Sequence, residues 1–501
     1  MARTLYHGPL AHALAPAALD ALPAALLAVD DTGRIAWLDT HVAPSPDARR
    51  AAAAHHGWDV DDPLLRLVLP RPGQFLVPGL VDTHTHAPQF PNIASGGQYE
   101  LLDWLSNVTF PREARFAHPA YARKTYAAVV DRIISLGTTT CCYYGTLHLE
   151  ATKILADIVH HRGQRAFVGK CNMDRNCAPT YQEASAEESL AQTADLVDYI
   201  HSLPHPGPPA SPRLVHPIIT PRFALACTNT LLASLGHLAA SHVSPLAIQT
   251  HVAENSAEVE FTKQLFPECL SYTHVYDAYG LLGPRTILAH GCLLGNHELE
   301  LIKERGAGIS HCPTSNFNLR SGIANVGKML DMGIKVGLGT DVSGGFAPSI
   351  LVAVRDASTA SKIISFQKNT AAIARDASAP LPEELIPPPS IAPLPAAEFS
   401  EAHLSLATLL YLATLGGASL CSLEDTIGNF LPGKAFDALL VSVRPETGNP
   451  CVWWEDEDES KAVTADGLQS MLETFLFAGD DRNIDSVWVQ GRLIGGTGQG
   501  N

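Results

Sequence analysis

With 501 residues, 46% of them apolar and only 17% charged, the chain can build one large domain or two to three ordinary ones, and disorder is excluded. A net charge of -17 argues against a nucleic-acid partner and against an anionic membrane surface, because phosphate would repel it. No stretch is long and apolar enough to span a bilayer, the N-terminus has no basic start followed by an unbroken apolar run, and the ten cysteines form no Cys-x-x-Cys or regular framework, so a cytoplasmic protein is expected.

In chain order, residues 25–29 and 34–38 flank Asp31-Thr32-Gly33 and read as a hairpin. Eight apolar runs follow at 75–81, 138–144, 165–170, 214–220, 246–252, 286–289, 307–311 and 334–339, separated by segments of helical spacing. Eight strand-plus-helix units predict an α/β fold, a (β/α)8 TIM-type barrel, with its chemistry at the C-terminal ends of the strands. Segment 378–400 carries seven prolines and much alanine, composition suited to an exposed insertion or, less simply, a ligand for a proline-binding module. The acid run 455–459 reads as a solvated loop. Residues 436–443 and 486–493 again read as strands. The expected organisation is a small β-sandwich-like domain built from 1–74 and 426–501, with the barrel at 75–425 between them and the insertion near 378–400. Separate terminal domains are the alternative.

Residues with metal or proton chemistry stand where those runs end. In an extended chain, positions i and i+2 share a face, so His84 and His86 can point at one ion. His251 closes the fifth run, His290 follows the sixth, and Asp341 follows the eighth. His84, His86, His251 and Asp341 supply the ligand set of a catalytic zinc site, whose chemistry is to make water nucleophilic at neutral pH. A second ion would call for a bridging lysine on the fourth strand, where Ile218-Ile219-Thr220-Pro221-Arg222-Phe223 has none, so one zinc per chain is expected. Glu254, three residues past His251, is placed to move protons in the same pocket, and His290 to orient the water and steady the developing oxyanion. No Gly-x-Ser-x-Gly elbow, phosphate loop or dinucleotide fingerprint competes with this site.

At these residues the chain resembles the amidohydrolase superfamily and, within it, the guanine deaminases. The likeness runs through Pro78-Gly79-Leu80-Val81-Asp82-Thr83-His84-Thr85-His86-Ala87-Pro88-Gln89, Thr109-Phe110-Pro111, Thr220-Pro221-Arg222-Phe223, His311-Cys312-Pro313, and Gly479-Asp480-Asp481-Arg482-Asn483. The resemblance implies hydrolysis of guanine to xanthine and ammonia by a homodimer with a mononuclear zinc. It implies that Gln89, Arg222 and Phe223 hold the purine beside His251, Glu254 and Asp341, with Glu254 as proton shuttle and Asp341 as both ligand and proton acceptor. The Pro/Ala-rich segment departs from the family pattern. Arginine offers donors only, so Arg222 suits the keto oxygen of guanine and would face the amino group of adenine donor to donor. Phe223 either stacks on the ring or packs in the barrel wall.

Overall fold

The computed structural model describes residues 2–205, 212–375, 399–453 and 463–500. The acid run at 455–459 and the Pro/Ala-rich segment, apart from residues 399 and 400, lie outside the described residues.

Eight parallel strands follow one another as neighbours: Leu80–His86, Thr138–Tyr144, Arg165–Gly169, Val215–Pro221, Ala247–Val252, Thr286–His290, Gly308–His311 and Lys335–Leu338. Their residues are almost all buried, as in strands covered on both faces, with amphipathic helices such as Pro119–Ser135 and Leu149–Arg162 outside. The first and last strands meet along a seam of mixed bonds. Thr83 Oγ1 donates to the Leu338 carbonyl at 2.8 Å, Asp341 N to His84 O at 2.8 Å, and His86 N to Val342 O at 3.2 Å. The Asp82 carboxylate accepts from Thr340 N at 3.1 Å and from the Thr340 hydroxyl.

Residues 75–81, expected to be a single strand, divide at Gly79. Gln74–Pro78 pairs antiparallel with Ala438–Ser442 in the small domain, and Leu80–His86 opens the barrel. A Cβ at Gly79 would lie 2.1 Å from Thr139 Oγ1, so only glycine lets the chain pass from one sheet to the other here. The small domain is an eight-stranded mixed sheet drawn from both ends of the chain. Its N-terminal part includes a long hairpin, Thr4–Ala15 with Ala18–Val29, of which only the last residues of the second strand are legible as strand in the sequence. Alanine is a poor strand former, and register against buried neighbours decides the conformation instead. At the junction of the two units the Arg165 guanidinium meets the Asp437 carboxylate through two bonds of 3.0 and 3.2 Å, both side chains about fully buried, and Asp437 also accepts from Gln490 N at 2.7 Å.

Candidate active site

The C-terminal rim of the barrel brings the expected ligands to one point. Ligand atoms of His84, His86, His251 and Asp341 all lie within 4.8 Å of one another, and all four residues are buried. His86 Nε2 is 3.1 Å from His251 Nε2 and 3.3 Å from Asp341 Oδ1, and His84 Nε2 is 3.1 Å from that same oxygen. Tetrahedral ligands on a zinc-sized ion, with bonds of about 2.0–2.1 Å, stand about 3.3 Å apart, so the donor set fits such an ion. His251 Nδ1 donates to the Arg222 carbonyl, which leaves Nε2 free to coordinate. The Nδ1 atoms of His84 and His86 have no partner among the described residues.

Electrostatics suits coordination. Burial, above all, pulls His84 and His251 below the usual imidazole value and His86 down to about 4, so all three rings are neutral at neutral pH. Burial alone would raise Asp341, but the facing His84 and His86 imidazoles outweigh it and keep the carboxylate ionised. The backbone is strained at this rim: Ala253, His290 and Asp341 hold φ of 45°, 75° and 43°, in the left-handed region that side chains disfavour.

Glu254 and His290 join the cluster from beside it. His290 Nε2 is 3.4 Å from Glu254 Oε2 and 3.7 Å from Asp341 Oδ2, while His290 Nδ1 pairs with Asn316 Oδ1 at 2.9 Å. Glu254 Oε1 accepts from the Ser321 hydroxyl at 3.2 Å. Burial, reinforced by the Asp341 and Glu258 charges, pushes the Glu254 carboxyl well above the ordinary range, which favours its protonated form. Behind it, Glu258 Oε2 accepts from Glu254 N and Asn255 N at 2.8 and 3.1 Å, and Tyr272 donates to Glu258 Oε1 at 2.6 Å.

A cavity opens over these groups. Gln89, Arg222, Phe223, His251, Glu254 and Asp341 line it, with an apolar wall of Leu101, Trp104, Leu105 and Leu319. That mixture of flat apolar wall and a few convergent polar groups suits a planar heterocycle. His84 sits beneath the cavity, and His290 beside its acid. Phe223 is buried at the lining, its ring centroid 6.2 Å from that of His251. Arg222 differs in one respect from the expectation of free donors: its guanidinium is held by Glu113, Nη1 to Oε2 at 2.8 Å and Nη2 to Oε1 at 3.2 Å. Lys170, at the end of the third strand, is buried against Glu183.

Sequence reasoning missed Glu113, Glu258, Ser321, Asn316 and the wall residues. Glu113 stands two residues beyond the Thr109-Phe110-Pro111 motif, on a helical run carrying a π-turn at Leu105–Thr109, a distortion that recurs at functional sites. The spacing of Glu258, four residues after Glu254 and three after the Asn255 cap, signals a capping box and could have been read.

Comparison with known proteins agrees with the site. Residues 75–376 and 391–494 match the amidohydrolase family. The chain is 45% identical to a probable guanine deaminase of Schizosaccharomyces pombe over 85% of its length and 72% of that protein's. It is 38% identical to guanine deaminase of Dictyostelium discoideum over 98% of both, and 36% identical to that of Homo sapiens over 98% and 96%. A crystal structure of guanine deaminase from C. acetobutylicum, with guanine bound in its active site, superimposes with a TM-score of 0.79 at 31% identity, covering 98% of this chain and all of that one. The chain belongs to the amidohydrolase family, and its relatives there are guanine deaminases.

Proposed function

We infer that this protein is a guanine deaminase, converting guanine and water to xanthine and ammonia. The observation that carries this reading is that one cavity is lined together by His86, His251 and Asp341 of the four-donor cluster, by Glu254, and by Arg222 and Gln89. His84, His86, His251 and Asp341 would hold one zinc, which supplies an activated water next to C2 of the ring.

The protein's own groups do the rest. Arg222 and Gln89 bind the keto edge, and Phe223 packs on the ring. The protonated Glu254 donates to the ring nitrogen beside C2 as the C–O bond forms, and Asp341 accepts the proton that the attacking water loses. His290, within reach of Glu254 and Asp341, orients that water and steadies its developing charge. A proton then passes to the exocyclic amine, the C–N bond breaks, and ammonia leaves as the C2 carbonyl forms. Among the described residues no helix is long and apolar enough to cross a membrane, and ten free cysteines fit a reducing cytosol. A homodimer of such chains completes the reading.

An ammonia-release assay on guanine, adenine, cytosine and cyclic amides tests it, with metal content measured on the same preparation. Turnover of guanine with about one zinc per chain is expected. Turnover of another substrate with none on guanine would overturn the assignment.

A further inference from the structure

Arg222 is surrounded in an unusual way for a residue lining a binding cavity. Its guanidinium is already paired, through two bonds, to a carboxylate with no solvent exposure. The same carboxylate accepts from Gln89 Nε2 at 2.9 Å, and Gln89 Oε1 accepts from Ser343 N at 3.2 Å. The Gln89 amide is therefore fixed in one orientation by a partner at each end.

We propose that Glu113 is a positioning residue that decides which charge state of purine the cavity keeps: it cancels the Arg222 charge and fixes the Gln89 amide, so that a neutral keto purine is held and an anionic purine is let go. The proposal rests on the guanine deaminase reading. A bare buried guanidinium is a strong site for planar anions, because its fork matches them with two bonds and little water competes. With Glu113 in place that capacity is spent inside the protein, and what remains are oriented N–H donors without net charge. Burial opposes ionisation of Glu113 most, yet the Arg222 charge beside it holds the carboxyl below its ordinary range, so the pair stays ionised and neutral overall. The other titratable groups that face the pair do not change this balance near neutral pH. Burial raises the thiols Cys171 and Cys177 to about 12, raises the phenols Tyr144 and Tyr181, lowers the imidazoles His84 and His86, and raises the Glu254 carboxyl.

The consequence concerns the product. Deamination replaces an amino group by a second carbonyl, which makes the ring N–H groups more acidic, so xanthine ionises at a pH where guanine is still neutral. A purine-binding edge whose own charge is cancelled offers that anion no ion pair at Arg222, which eases its departure before the next substrate.

The test is xanthine inhibition of guanine turnover from about pH 6 to about pH 9. Wild-type inhibition is expected to weaken as xanthine ionises. In Glu113→Gln it should strengthen with pH, reaching about tenfold tighter than wild type at the alkaline end, while KM for guanine rises more than kcat falls. Glu113→Asp, which keeps the charge, should restore the wild-type direction. Inhibition that tightens with pH in the wild type, or an unchanged slope in Glu113→Gln, overturns the proposal. The wild-type slope decides the matter even if the glutamine variant does not fold. If guanine is not turned over at all, the deaminase reading falls, and equilibrium dialysis of xanthine across the same pH range still decides the role of Glu113.

Discussion

Two buried arginine–carboxylate pairs in this molecule have almost the same geometry and opposite settings. Arg165 and Asp437 meet at 3.0 and 3.2 Å where barrel and small domain join, and Arg222 and Glu113 meet at 2.8 and 3.2 Å beside the cavity. Around Asp437 the protein closes the network itself, with Gln490 N as a further donor. Beside Arg222 lies a cavity, lined also by Asp341, whose backbone is strained, and by Glu254, next to which His290 Nε2 has no hydrogen-bond partner among the described residues. The same ion pair thus stands in one place where polar groups are satisfied internally and in another where it borders a cavity.

The comparison can be broken, starting with the largest effect. Chelation should abolish turnover, with zinc restoring it, and leave the junction pair unaffected; full activity in protein holding well under one ion per chain would contradict the site. Glu254→Gln should lower kcat by about 10²–10⁴-fold while the fold and metal content persist, as read by steady-state kinetics and metal analysis. Wild-type rates would remove Glu254 from the chemistry. Arg165→Met strands the Asp437 charge in a dry junction and should cost about 3–5 kcal/mol of unfolding free energy, with guanine KM unchanged in the folded protein. Arg222→Met strands Glu113 next to a cavity that can admit water. Its stability loss should be the smaller of the two, and its loss of guanine binding the larger. Equal effects on KM would erase the distinction.

Acid sensitivity is expected to come from the scaffold rather than from either ion pair. Burial holds His12 and His216 at about 4 and His311 at about 3, below the usual 6.5. Above 6.5 folded and unfolded chains are both neutral at these rings. As pH falls further, the unfolded chain gains protons that the folded one refuses, so stability drops by about 1.4 kcal/mol per pH unit for each ring until the folded value is reached. Denaturant unfolding of metal-free protein between pH 7 and pH 5 measures this slope, and His311→Gln should reduce it.

Much of the site is legible in the sequence because each chemical residue ends an apolar run. His84, His86, His251 and His290 are therefore placed by strand geometry alone, and Asp341 follows the last strand by three residues. Glu113 and Glu258 are not legible in that way. Each is a glutamate on a helical segment; the capping-box spacing marks the local pairing of Glu258, but the burial of both and the pairing of Glu113 with Arg222 come only from tertiary packing. The division of 75–81 between two sheets escapes for a similar reason, since a continuous apolar run carries no mark of which neighbour each half will pair with. The hairpin at 4–29 is hidden by its alanines.

The seam between first and last barrel strands is built from the same residues that would hold the ion: Asp341 N bonds the His84 carbonyl, and His86 N bonds that of Val342. An ion joining His84 and His86 to Asp341 would act as a clasp on the cylinder. Its binding energy would then be partly the work of fastening the ring, and losing it should loosen amide protection first along Leu80–His86 and Lys335–Leu338, far from the helices that cover the other strands.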